Sequence, residues 1–166
     1  MRRYLSLVLM VAIFFTCTVC AARSAGLPDN EASLGGVTLG ATMSYVESIY
    51  GSPSDSKWTK DTFGNRVLQH RYGNGFYILE SRYGGKSYIN ELYSTANNGL
   101  GTPMGIAVGV SEDAVFGIYG ERKPVKTENG VRSYVYYTVH GMHVDLKTKK
   151  VDGEYRVSEI HMRFEG

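Results

Sequence analysis

The residues best equipped for chemistry are His143 and His161 with Asp145 and Glu159. Imidazole and carboxylate are common ligands of divalent metals. In a strand beginning near Met142, His143, Asp145 and Lys147 point to one side, and Met142, Val144 and Leu146 to the other. A hairpin turning around Asp152 sets His143 opposite His161 and Asp145 opposite Glu159. The four side chains then share one exposed face, where they could hold an ion or serve an enzyme. Lys147 lies on that face too, and its charge fits a plain solvated surface equally well. Other chemistries lack their motifs. Ser, His and Asp occur without a Gly-x-Ser-x-Gly nucleophile elbow, and 99-GLGTPMG-105 opens no phosphate-binding helix. No cofactor and no catalytic residue are expected.

Tyrosine offers a second candidate surface. The chain has 13 Tyr, most of them in segments with strand character. Tyr combines a large, rather rigid contact area with a polar tip and is favoured at protein interfaces. The expected binding face comprises Tyr77, Tyr93, Tyr134, Tyr136, His143 and His161. Tyr77 and Tyr93 hold the positions that His143 and His161 hold later in the chain, and should meet as a cross-strand aromatic pair. Trp58, the single Trp, reads as cover for a sheet edge or as core.

These side chains need elements to position them, and two stretches supply the frame. Set 36-GVTLGATMSYVESIYG-51 above 105-GIAVGVSEDAVFGIYG-120: six of sixteen positions are identical without a gap. Thr42 and Ser111 are suited to cap short helices. Val46, Ile49 and Tyr50 fall on one helical face, as do Val115, Ile118 and Tyr119. Gly51 and Gly120 suit a helix C-terminus, and Pro53 and Pro124 forbid continuation. Gly36, Gly40, Gly105 and Gly109 mark the extended approaches to the helices.

Strands are expected over Val67–Tyr72, Phe76–Arg82 and Ser87–Ser94, then over Val131–Thr138, Met142–Lys149 and Tyr155–Phe164. Edge strands are expected near Lys57–Thr59 and Val125–Thr127, with Gly-rich turns between. The fold class read from this is α+β. It consists of two tandem repeats, each a short helix followed by a three- to four-stranded antiparallel meander, with the helices packed on one face of the sheet. Residues 36–96 form the first repeat and 97–166 the second, together making one domain, and 95-TANNGLGTPM-104 serves as the linker.

This pattern resembles the β-lactamase-inhibitor-protein-like tandem repeat. The helix-then-sheet unit is also similar to the small outer-membrane assembly lipoproteins of the SmpA/OmlA type. The resemblance implies a secreted binding module with a concave sheet face, and it carries over no contact residues of an inhibitor.

Composition sets the setting. Arg2 and Arg3 precede an apolar run from Leu5 to Phe15, and small residues follow at Ala21 and Ala22, so residues 1–22 read as a signal peptide. Residues 23–35 read as a flexible N-terminal segment. Both Cys, Cys17 and Cys20, fall in the segment to be removed, which leaves no disulfide in the mature chain. Membrane attachment enters only through lipidation of Cys20. The 18 Lys+Arg and 16 Asp+Glu become 16 and 16 without Arg2 and Arg3, and a chain of balanced charge is poor material for binding nucleic acid. The expected function is a secreted or periplasmic, non-enzymatic module that binds an unknown protein partner through a Tyr-rich open sheet face. The alternatives are a lipid-anchored envelope assembly or structural factor and, third, a metal-binding protein or enzyme using the His/carboxylate cluster.

Overall fold

A computed structural model describes residues 26–165. The expected signal segment 1–22, with Cys17 and Cys20, lies outside the described residues. A 3-10 turn at Asp29–Glu31 leads into a small hairpin of β1 (Ser33–Leu34) and β2 (Val37–Thr38), and then into helix α1 (Met43–Tyr50). Four strands follow: β3 (Asp55–Lys60), β4 (Arg66–Tyr72), β5 (Phe76–Tyr83) and β6 (Lys86–Ser94). After helix α2 (Glu112–Tyr119) come β7 (Lys126–Glu128), β8 (Val131–Tyr137), β9 (His143–Val151) and β10 (Glu154–Arg163). No helix among the described residues is long and apolar enough to cross a membrane.

The eight longer strands form one sheet in the order β3-β4-β5-β6-β10-β9-β8-β7, and all its pairings are antiparallel. Short loops enforce the hairpins. Gly84-Gly85, Asn129-Gly130 and Asp152-Gly153 are two-residue connections with positive φ throughout, the geometry whose twist matches that of paired strands. The sheet closes at its centre, where β10 pairs with β6 from Ile160↔Ser94 to Arg163↔Glu91.

The α+β expectation is corrected here. The protein is mainly β: the helices have eight residues each, and the strands of both halves merge into a single continuous sheet rather than standing as two helix-plus-meander repeats. Two-turn helices have little side-chain surface with which to define a layer, whereas eight strands satisfy one another's backbone groups across the whole width of the sheet.

The expected flexible segment is also corrected over its described part. Leu27, Ala32 and Leu34 are buried in the main hydrophobic cluster. Leu27 N–H donates to Tyr137 C=O at 2.7 Å, and a Cβ on Gly26 would stand 2.7 Å from the Thr138 backbone. The apolar side chains Ala32 and Leu34 drive this docking, since burying a residue of leucine's size stabilises by about 1.5–3 kcal/mol.

The core lies between the helices and one face of the sheet. Val46 of α1 and Val115 of α2 are buried in one hydrophobic cluster with Ile78, Leu92, Leu146, Ile160 and Met162 of the sheet. Ring pairs complete it: Tyr50 packs 5.6 Å from Tyr72 and 5.6 Å from Phe76, and Tyr119 lies 5.1 Å from Tyr136. Thr42 and Ser111 cap the helices by accepting from Tyr45 N–H and Ala114 N–H, at 3.3 and 3.2 Å. Gly36, Gly40, Gly105 and Gly109 lie on the approaches to the helices with positive φ.

Candidate functional site

The sheet face opposite the helices carries the polar chemistry. Strand pairing lines up Arg71, Tyr77, Tyr93, His161, Asp145 and Val135 in one row across β4, β5, β6, β10, β9 and β8. The next row runs Leu79, Glu91, Arg163, His143 and Tyr137. Residues two apart on a strand share a face, so the two rows make one surface.

The register differs from the expected one. His161 faces Asp145, and His143 faces Arg163. The Asp152-Gly153 turn pairs Val151 with Glu154, and a bulge at Ser158 shifts the register by one more residue. The two offsets of one residue add, so the partners change while the side of the sheet does not.

At the centre Tyr93 stacks on His161, with ring centroids 3.9 Å apart and planes 9° from parallel. The expected Tyr77–Tyr93 pairing exists in register, but the stacking partner of Tyr93 is His161. Glu91 holds the stack from beneath. It accepts from Tyr93 O–H at 2.6 Å, from His161 Nε2 at 3.1 Å and from Thr62 N–H at 2.7 Å. Burial by itself would raise the Glu91 carboxyl, but these bonds and the neighbouring imidazole outweigh it and hold the group at about 2. Burial and the Glu91 carboxylate push the Tyr93 hydroxyl up, so it stays a neutral donor.

Beside the stack, Arg163 joins Asp145 to His143. Its Nε donates to Asp145 Oδ2 at 3.0 Å, and its terminal nitrogen donates to His143 Nδ1 at 2.6 Å. Burial and the Arg163 charge lower His143, which fits an imidazole accepting through Nδ1. The fixed guanidinium thus sits among the groups proposed as metal ligands. Glu159 is turned to Lys147 at 2.9 Å. Among the described residues no group of three or more His, Cys, Asp and Glu is arranged to hold a metal ion. His143, His161 and Asp145 come together; Glu159 does not join them.

Two members of the expected binding face are elsewhere. Tyr134 and Tyr136 are buried on the helix side. Tyr134 donates to Glu112 at 2.6 Å and Tyr136 to the Gly120 carbonyl at 3.1 Å. Glu112, in the first turn of α2, also accepts from Thr148 and Arg132, each at 2.8 Å. These hydroxyls fasten α2 to the sheet. Alternation decides the matter: Tyr134 and Tyr136 share the side of Val144 and Leu146, to which they are paired.

Glu91 and Arg163 are the functional residues that sequence reading missed. Both had a visible signal, since each lies two positions from a residue already on the face, Tyr93 and His161 respectively. A further line of groups runs from Ser56 Oγ to His70 Nδ1 at 2.9 Å, and from His70 Nε2 to Glu80 at 3.3 Å. Arg82 donates twice to the same Glu80 oxygen, at 3.0 and 2.9 Å. Burial would raise the Glu80 carboxyl, and the Arg82, Ser87 and His70 bonds hold it low instead. A carboxylate so occupied ties β3, β4 and β5 together and is a weak partner for a serine nucleophile.

The hollow at the central stack, lined by Asp145, Lys147, Glu159 and His161, measures about 140 Å³. Small-molecule sites usually enclose about 300–1,000 Å³, so this central hollow is small by comparison.

No family model matches the chain, and no curated protein matches it. A cysteine-rich secretory protein from Staphylococcus aureus, solved as a crystal structure, is similar over 86% of this chain and 49% of its own, with 11% identity and a TM-score of 0.49. The chain thus spans about half the length of that protein, and a likeness this loose bears on neither function nor family.

Proposed function

We propose that the protein is an exported, non-enzymatic module that binds a protein partner through the open face of its sheet, around Tyr77, Tyr93 and His161. The observation that carries this reading is the Tyr93–His161 stack over buried Glu91. It is a rigid aromatic and ionic platform at the centre of a face that neither helix packs on. A preset platform loses little side-chain freedom on binding, which is what an interface anchor requires. The small hollow at the stack suits contact with a protein surface better than enclosure of a small molecule. Glu91, Tyr93, His161, Arg163 and His143 are already tied to one another or to Asp145 by hydrogen bonds, which supports recognition over catalysis. Export is supported by Arg2, Arg3 and the apolar run that follows.

A photo-crosslinking residue at Tyr77, expressed in the native host, should capture a partner. The same residue at Tyr45, on the outer side of α1, should not. In the captured complex, Tyr77→Ala should weaken binding by at least about tenfold, the scale of an interface anchor. Tyr77→Ala combined with Tyr93→Ala should weaken it further with the fold intact by circular dichroism. Capture only from Tyr45 would overturn the reading.

A further inference from the structure

The contact between His143 and Arg163 fixes where the imidazole carries its proton. A guanidinium has N–H donors and no acceptor, and it stays charged throughout the range in which proteins titrate. The terminal nitrogen of Arg163 lies 2.6 Å from His143 Nδ1. Nδ1 must therefore accept, and the ring is neutral with its proton on Nε2. A further proton can enter only at Nδ1, in the line of that hydrogen bond. The imidazole is buried, and the Tyr137 ring of β8 packs edge-on to it at 4.6 Å. Asp145 supplies the other half of the arrangement. Its Oδ2 accepts from Arg163 Nε at 3.0 Å. Its Oδ1 is buried without a hydrogen-bond partner, and lies 3.6 Å from the same His143 Nδ1. That is beyond hydrogen-bond length, and a buried acceptor left unmade is costly. A proton on Nδ1 would give this oxygen its donor.

We propose that His143 is a proton-operated latch on Arg163. In the neutral state Nδ1 accepts from the guanidinium and holds its terminal nitrogen. On protonation Nδ1–H turns to Asp145 Oδ1, and that nitrogen is released while Arg163 Nε stays on Asp145 Oδ2. One proton is taken up and no covalent bond changes. The open face then gains one positive charge and a free guanidinium end, one row from the Tyr93–His161 stack. Burial and the Arg163 charge resist the proton, and Asp145 and Glu165 favour it. The first two prevail, so His143 charges only below its ordinary 6.5. The other ionic neighbours are already engaged. Glu91, in register with Arg163 across β6, takes three donors. His161 is bonded to Glu91 through Nε2, and its Nδ1 lies 3.9 Å from Asp145 Oδ2. The latch belongs to the folded chain alone and requires no partner on the face.

The test is a pH titration of the ¹⁵N-labelled protein, followed by NMR at the side-chain nitrogens of His143 and Arg163. At neutral pH, His143 should carry its proton on Nε2 and none on Nδ1. As His143 titrates, the terminal nitrogens of Arg163 should respond with the same midpoint, and Arg163 Nε should keep its hydrogen bond. His143→Gln retains an acceptor that takes no proton, so in this variant Arg163 should not respond over that range. Asp145→Asn removes the charge that receives Nδ1–H, and protonating His143 should then require about tenfold more acid. A proton on Nδ1 at neutral pH would overturn the proposal. So would Arg163 signals that ignore the His143 titration, an Arg163 response preserved in His143→Gln, or a His143 midpoint unmoved in Asp145→Asn.

Discussion

Glu91 shows how a single buried acid sets the character of the open face. Only 1% of it is exposed, yet it stays ionised because three donors converge on it. Its ordinary value is 4.5 and its folded value about 2. Between these values the unfolded chain takes up a proton that the folded chain refuses. The stabilisation is therefore complete above about 4.5 and is lost as pH falls toward 2. At its full extent it amounts to about 3 kcal/mol. Glu91→Gln should lower stability at neutral pH by up to that amount, and it should flatten the dependence of urea-measured stability on pH across this window. A variant with the original slope would show that the group does not titrate as described. Face membership was legible at this scale, because alternation places Glu91 with Tyr93 and Arg163 with His161. The ionic partners were not, because they depend on which strands are adjacent.

At the scale of the element, the helices end by backbone geometry. Gly51 has φ 72 and ψ −159, and Gly120 has φ 88 and ψ 147. This is not the left-handed helical region but the mirror-extended region, which is essentially closed to residues with a Cβ. A Cβ at either position would meet nothing within 4 Å, so any cost of substitution comes from the backbone alone. Gly51→Val and Gly120→Val should each destabilise by about 1–3 kcal/mol in urea melts. Gly117, inside α2 and also with free space around it, supplies the opposite sign: Gly117→Ala should stabilise by about 0.5–1 kcal/mol. If all three behave alike, positive φ is not what ends these helices. Strand positions were legible within a few residues, since runs of Val, Ile and Tyr bounded by Gly pairs have a local physical cause. The bulges at Asn90 and Ser158 were not, because an extra residue is recognised only against the strand beside it.

At the scale of the whole molecule, the N-terminal segment acts as a clasp. Glu31, fully buried, accepts from Met104 N–H at 2.7 Å and from the Tyr119 hydroxyl. Tyr119 also bonds Thr102 at 2.9 Å. One side chain thus joins the 3-10 turn, the connection between the halves and the end of α2. Burial and the Glu31 carboxylate push the Tyr119 hydroxyl up, keeping it protonated. Glu31→Ala should cost about 3 kcal/mol, because it removes the buried carboxylate that two hydrogen bonds reach, each worth about 1.5 kcal/mol or more to a charged acceptor, and Tyr119→Phe should cost about 1 kcal/mol. The double variant should show a coupling of at least about 0.5 kcal/mol in urea melts. Strict additivity would mean that the two groups do not interact.

The sequence by itself determined what neighbouring residues can decide: where strands run and turn, which hydroxyls cap the helices, and which residues alternate onto a common face. Tertiary structure alone decided that β6 and β10 join two sets of hairpins into one sheet, that Tyr134 and Tyr136 lie in the core, and that Arg163 sits where a metal ion was conceivable. The physical reason is range. Propensity, capping and turn geometry act over a few bonds, whereas strand order, register across a bulge and the partner of a buried charge are set by contacts between residues dozens of positions apart.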